Sequence, residues 1–344
     1  MAFPGCSHVS ATDTSRPTGA DYIYCLAQEV RKLKESIAAG IDSQGELLAN
    51  VLTSVACRVA DTAWVTSDLA VGDARGIGTN GSVFVVSHQS GTGECSVGSP
   101  ASWAPVGLGP SIYWRDIAAS GSTFCAIEGL GPGMGVYSSI STDNGVNWTT
   151  TADLPATASW TSIAGSPTAF VAVGDSNLAR RLTAGSWTSV ASTHAATWYR
   201  ITYADGKFIA VSGEPGYVSV STDDGVTFTD AAILGGSIDL RGVAYNGVVW
   251  CVVAANGAIY TSPTGLAGSW TEQRAADGML TYSVAALDGV FYSPVYISDQ
   301  CLYSVDDGVT WLSFTLPTTE NWFDCCSDGT RIVAAGGSSA VSTS

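Results

Sequence analysis

Three arginines, Arg75, Arg115 and Arg241, and two tyrosines, Tyr199 and Tyr282, stand at one recurring place in this chain. Four tryptophans, Trp114, Trp160, Trp198 and Trp322, stand one residue before that place. Aromatic faces with guanidinium and phenol groups beside them can hold a sugar by stacking and hydrogen bonding, and converging arginines add attraction for an anionic one. The competing reading is that the tryptophans fill space between neighbouring sheets and the arginines stack on them. These nine residues are the candidate ligand site. No catalytic residue is assigned, because Gly-x-Ser-x-Gly, P-loop and HExxH patterns are all missing. His8, His88 and His194 are the only histidines and there is no CxxC, so neither a metal site nor a cofactor is expected.

The recurrence itself predicts the elements that position these residues. Trp64, Trp103, Trp148, Trp187, Phe228, Trp270 and Trp311 follow one another at about 40 residues, and so do Phe84, Phe124, Phe170, Phe208, Trp250, Phe291 and Ile332. A third series, Ile77, Ile117, Ile163, Ile201, Val243, Val284 and Cys325, runs seven residues ahead of the second. A period of that length with short alternating strands and many glycines predicts a mainly β chain, a seven-bladed β-propeller of four-stranded blades over residues 61–344. The last unit runs out of chain before its fourth strand, and Trp64 has no three strands ahead of it. Residues 61–66 are therefore expected to complete the last blade; the alternative is six blades and an unrelated strand.

Three turns share the pattern Ser-x-Asp-x-Gly-x-x-aromatic: Ser141, Asp143, Gly145 and Trp148; Ser221, Asp223, Gly225 and Phe228; Ser304, Asp306, Gly308 and Trp311. Short polar side chains bonding back to a turn, with glycine for the unusual dihedrals, give these residues a structural role. The turns resemble the Asp-boxes of sialidase-like β-propellers. That resemblance raises a glycosidase as an alternative function, with Arg75, Arg115 and Arg241 as a carboxylate-gripping cluster and Tyr199 or Tyr282 as nucleophile. Against it, the Arg-Ile-Pro element of sialidases is missing, the blade number differs, and no motif places a Glu.

Ahead of the repeats, residues 1–20 are rich in Ser, Thr, Gly and Pro and predict an extended arm. Residues 21–58 predict a helical anchor, preceding the propeller, in which Leu26, Val30, Leu33, Ile37 and Ile41 form a coiled-coil-like seam. Arg16-Pro17-Thr18-Gly19 followed by Gln28 to Lys34 resembles the N-termini of tailed-phage fibre and spike proteins. The resemblance implies a virion structural protein made in the host cytoplasm, a fibre, spike or surface adhesin. It would attach to other virion proteins through residues 1–58, as a homo-oligomer (a trimer, by analogy), and to a host surface glycan or protein through its propeller. A third reading is a cellular assembly factor, since photosystem-assembly propellers use similar turns.

Composition narrows the partners. A net charge of −16 with only 14 Lys and Arg argues against nucleic acid. No basic start with an apolar run marks a signal peptide, and no stretch is apolar for long enough to span a membrane. The nine cysteines lack a disulfide spacing, and most of them are expected to be buried thiols. Because one short helix is marginal by itself, light scattering of the full chain and of residues 60–344 should report different oligomeric states; two monomers would remove the seam as a self-association element.

Overall fold

Runs such as FCAIEG, FVAVGD, FIAVSG and WCVVAA combine apolar with small residues over five or six positions, as strands covered on both faces require. The computed structural model describes residues 64–343, apart from 71, 90–91, 98–99, 101, 110–112, 130–136, 152, 155–158, 176–178, 184, 191–193, 195, 233–237 and 338. Each of those runs is a second strand of a sheet: Thr123–Glu128, Phe170–Gly174, Lys207–Ser212 and Trp250–Ala254, nearly every residue of them buried. The described chain forms seven four-stranded antiparallel sheets. Six take their four strands consecutively, and the first strands pack side by side in a closed ring around a central channel. In chain order, the first strands of sheets one to five are Ala74–Thr79, Trp114–Ser120, Trp160–Gly165, Trp198–Ala204 and Leu240–Tyr245. Those of sheets six and seven are Ala285–Leu287 and Asp324–Ser327.

The expected fold class needs one correction. Among the described residues there is no helix, so the described fold is all-β and no helical anchor forms part of it. The arm at 1–20 and the helical segment at 21–58 lie outside the described residues.

The core is a set of clusters between adjacent sheets. Ile127 and Cys125 of sheet two meet Trp160, Ile163 and Phe170 of sheet three, and the same arrangement recurs around the ring. Cys95, Cys125, Cys251, Cys301 and Cys325 are buried free thiols in these clusters; burial pushes the Cys325 thiol up to about 12.

The three Ser-x-Asp-x-Gly turns join third to fourth strands and consume their own polar groups. The Ser304 hydroxyl donates to Asp306 at 2.9 Å and accepts from the Gly308 N–H at 2.9 Å. Asp306 in turn accepts from the Thr310 N–H at 2.8 Å, and the Trp311 indole donates to the Gly308 carbonyl at 2.8 Å. Gly308 at φ 81° and Asp307 at φ 63° both occupy the left-handed region that the turn needs. Hydrogen bonds from the Asn147 backbone and side chain and from Ser141 hold the equivalent Asp143 carboxyl down to about 2.

Sheet seven is made from both ends of the described chain. Asp324–Ser327, Ile332–Ala335 and Ser339–Thr343 are joined on the outside by Trp64–Asp68, with Trp64 opposite Thr343 and Asp68 opposite Ser339. Trp64 packs on Phe314 and Tyr292 of sheet six, at ring-centroid distances of 5.4 and 6.1 Å. Trp64→Ala should therefore loosen the closing strand and cost about 2–4 kcal/mol, below the full range for a buried tryptophan because Trp64 is only partly covered. Urea unfolding of the two proteins measures this; equal midpoints would show that the closing strand is held without its tryptophan.

Candidate functional site

A β-bulge in the first strand of each of sheets one to five aims the site residues. Pairing with the second strand slips between Ala74 and Gly76, Trp114 and Asp116, Trp160 and Ser162, Trp198 and Arg200, and Leu240 and Gly242. The extra residue in each case is Arg75, Arg115, Thr161, Tyr199 or Arg241. A bulge residue leaves the ladder and is re-aimed, here toward one end of the channel. Tyr282 and Phe323 hold the same place just before the first strands of sheets six and seven.

Arg75, Arg115, Tyr199, Arg241 and Tyr282 are thereby gathered around a recess of about 230 Å³, together with Thr161, Tyr296 and Phe323. Their packing follows the ring. Arg75 lies over the Phe323 ring at 4.2 Å, and Arg241 lies over Tyr199 at 3.8 Å and Tyr282 at 5.3 Å. Tyr282 also packs on Tyr296 and Phe323. The residue fourteen positions on, at the end of the second strand, backs each of several mouth residues. Gln89 accepts from Arg75 at 3.1 and 2.5 Å, while Gly129 and Gly213 leave room for Arg115 and Tyr199. Arg241 pairs with Asp239 at 2.5 Å.

The four tryptophans take no part in such a surface, and this corrects the expectation that they serve as platforms. Trp114, Trp160, Trp198 and Trp322 are 0, 1, 2 and 1% exposed. Trp114, Trp160 and Trp198 directly precede a bulge and Trp322 holds the equivalent place in sheet seven; all four are in phase with the core and fill the joints between sheets.

One residue deeper than the mouth lies a cluster that the choice of candidate residues missed: Asp116, Arg200 and Asp324, the first two directly after the bulges. Arg200 donates to both oxygens of Asp324 at 2.9 Å, lies 3.6 Å from Asp116, and donates to the Phe323 carbonyl at 3.3 Å. Asp116 also accepts from the Ile117 N–H at 2.8 Å, the Ser162 hydroxyl at 2.7 Å and the Ile163 N–H at 3.0 Å. Asp324 accepts from the Ile77 N–H at 3.1 Å, the Ser283 hydroxyl at 2.8 Å and the Cys325 N–H at 2.8 Å. The signal was available, since these residues sit at one position of the same repeat alignment.

Burial sets the charges. It pushes the Asp116 carboxyl up to about 6 against the opposing pull of Arg200, with Asp324 adding to the rise. Burial alone would lower Arg200, but Asp324 and Asp116 outweigh it and hold the guanidinium above its ordinary value. Arg115 goes the other way: burial, then repulsion from Arg75 and Arg200, lowers it, with Asp116 opposing. Both buried carboxylates are saturated by backbone N–H, hydroxyl and guanidinium donors, which suits them to hold strands rather than move protons. No group of three or more His, Cys, Asp or Glu able to hold a metal occurs among the described residues.

No protein-family model and no curated protein matches the chain. Solved structures do match, over about four-fifths of its length. A catalytically inactive virginiamycin B lyase from Staphylococcus aureus with quinupristin superposes with a TM-score of 0.69 at 12% identity, covering 82% of this chain and 100% of that one. YCF48 bound to D1 peptide gives 0.64 at 14% identity, covering 81% and 96%, and the WD40 repeats of RRP9 give 0.66 at 10%, covering 81% and 97%. At such identities the likeness is one of fold: the chain is a β-propeller protein.

Between about pH 4 and pH 6 the folded chain keeps a proton on Asp116 that the unfolded chain has already released, so this group's share of stability declines as pH rises through that window. Asp116→Asn removes the declining share. The variant's melting temperature relative to the parent should climb from about pH 4 to about pH 6.5 in thermal melts followed by circular dichroism. A constant difference would mean that Asp116 titrates as a solvated carboxylate does.

Proposed function

We propose that this propeller is a binding module that does not catalyse, and that it takes an acidic segment of a partner at the channel mouth. The observation that carries this reading is the convergence of Arg75, Arg115 and Arg241 with Tyr199, Tyr282 and Phe323 on one recess, in a chain whose net charge is −16. A local positive field on an acidic molecule steers anionic ligands to that spot and leaves the rest of the surface repelling them. Aromatic rings under the Arg75 and Arg241 guanidinium groups hold those two in place at low entropy cost. A glycosidase is less well supported, because Asp116 and Asp324 are 3 and 4% exposed and already fully engaged.

The place of action follows from which observation is weighed. The fold neighbours above include RRP9 and YCF48, the latter solved with a peptide, and they support a cellular propeller that holds or assembles other proteins. Residues 16–34 alone support the virion reading, in which residues 1–58 attach to the particle and the mouth faces a host glycan or protein. The mouth works the same way in either setting.

Purified protein should bind acidic peptides from an array more tightly than neutral ones, with affinity falling as salt rises. Arg75→Ala combined with Arg241→Ala should weaken that binding by about tenfold or more, since hydrogen bonds to charged groups are among the stronger ones. Val226→Ser, at an exposed turn between third and fourth strands, should leave it unchanged. Binding indifferent to the arginine pair, or steady release of sugar from envelope polysaccharide, would refute a non-catalytic mouth.

A further inference from the structure

We infer that the mouth contains a dedicated seat for one carboxylate, at sheet three, with the Arg115 guanidinium as its counter-charge. The inference rests on the mouth being a binding face and makes a narrower claim about one place on it.

The seat exists because the ring has a gap. Of the seven equivalent positions, six carry Arg, Tyr or Phe and the third carries Thr161. Over that short side chain a cavity of about 380 Å³ opens, with Arg115 on one side and Tyr199 on the other. Thr161 is turned away from ligand duty: its hydroxyl sits between the Val173 carbonyl, at 3.0 Å, and that of Trp198, and its one proton goes to one of these two acceptors. The floor is therefore nearly inert, and the cavity's chemistry comes from its walls.

Arg115 differs from every other arginine at this end of the channel. Arg75 has Gln89 and the Phe323 ring, Arg241 has Asp239 and two tyrosine rings, and Arg200 has two carboxylates. Among the described residues, Arg115 has no hydrogen-bond partner, ion pair or ring. Burial and three neighbouring arginines act against its charge, and Asp116 alone opposes them. A guanidinium does not give up its proton, so the protein carries a partly desolvated, unpaired cation into a cavity, which costs free energy until an anion arrives.

The guanidinium is also held in position. The Gly129 N–H donates to the Tyr113 carbonyl at 2.8 Å, and a Cβ on Gly129 would come within 2.6 Å of the Arg115 Cβ. Only a glycine lets the arginine stem lie against that strand end. Asp175 stands in the cavity wall, accepting from the Ser159 N–H at 3.1 Å. Its charge sets a limit on the ligand, because a dianionic phosphate meets it with twice the repulsion of a monoanion. A planar carboxylate, which matches a guanidinium with two parallel hydrogen bonds, is the group that fits. It can come from a chain terminus or from an Asp or Glu side chain, and Tyr199 gives the attached body an aromatic wall.

Calorimetric titration of the full chain tests this with four probes: N-acetylphenylalanine, its amide, N-acetylaspartic acid amide and inorganic phosphate. Either or both acids should bind, and the amide about tenfold or more weaker. A tighter N-acetylphenylalanine points to a chain terminus, and a tighter aspartate probe to an acidic side chain. Arg115→Gln should lower acid affinity to that of the amide, Arg115→Lys should recover part of it, and Thr161→Tyr should close the seat; unchanged thermal melts show that each variant is folded. Equal binding of acid and amide, acid binding unchanged in Arg115→Gln, or phosphate binding tighter than either acid would overturn the assignment. Loss of acidic-peptide binding on changing Arg75 and Arg241, with no effect of Arg115→Gln on peptide or probes, sinks the seat and keeps the mouth. Arg115-dependent acid binding, with peptide binding indifferent to Arg75 and Arg241, supports the seat and removes the wider mouth.

Discussion

The contact between Arg200 and the carboxylates of Asp116 and Asp324 is the interaction on which the mouth depends. Arg200 belongs to sheet four, Asp116 to sheet two and Asp324 to sheet seven, so one side chain ties strands from opposite parts of the ring. Each carboxylate then reaches sideways. Asp116 holds the Ser162 hydroxyl and the Ile163 N–H of sheet three, and Asp324 holds the Ile77 N–H of sheet one and the Ser283 hydroxyl next to sheet six. Ser162 completes the chain by accepting from the Ile201 N–H of sheet four at 3.2 Å. A buried ion pair of this kind contributes little net stability against an apolar replacement, but removing one partner strands the others at a cost of about 3–5 kcal/mol. Its effect is geometric: it fixes how far apart the first strands stand where the bulges begin.

Closure supplies the other constraint. A ring of sheets has no free edges only if the first and last are joined, and here the strand Trp64–Asp68 lies along Ser339–Thr343. Arg200 and the closing strand act at opposite radii, one across the channel and one at the rim. Their combination explains how a ring of short strands with few charges keeps a fixed bore. The bulges then turn that bore into a site, because each puts one side chain per sheet on the channel end.

Much of this was legible in the sequence, for a physical reason. A repeat places equivalent residues in equivalent environments, so the phenylalanine series from Phe84 to Phe291 and the aliphatic series from Ile77 to Val284 could be read as strand cores without any structure. The tryptophans misled because strand alternation and the bulge compete. Trp114 and Arg115 are neighbours in sequence and at the same end of a strand, yet the extra residue sends one into the joint between sheets and the other into the mouth. Bulges leave no composition signal at this site, since the bulged residue is Arg in three sheets, Thr in one and Tyr in another. Asp116, Arg200 and Asp324 were overlooked for a related reason: charged residues in a strand read as surface, and only the closed ring shows that their side of the strand is the interior of a channel.

The seven copies of the repeat also separate scaffold from site within one chain. Where the environment is set by packing, the copies agree: the second strands carry a buried aromatic followed by aliphatic or small residues in sheet after sheet. Where the environment is the channel mouth, they diverge, reading Arg75, Arg115, Thr161, Tyr199, Arg241, Tyr282 and Phe323 at one structural place. Packing gives no reason for that variety, because the bulge lifts the first five of these side chains clear of the ladder and the last two stand before their strands begin. A set of positions released from packing, in a chain with few basic residues, nonetheless holds three of the arginines. Random placement of so few cations would pair them with the abundant carboxylates at the surface, as Arg274 with Asp277 and Arg331 with Asp328 are paired. Among the described residues Arg115 has no carboxylate paired with it, and its stem is held against Gly129; that unpaired charge at a position released from packing is the physical ground for the proposed carboxylate seat.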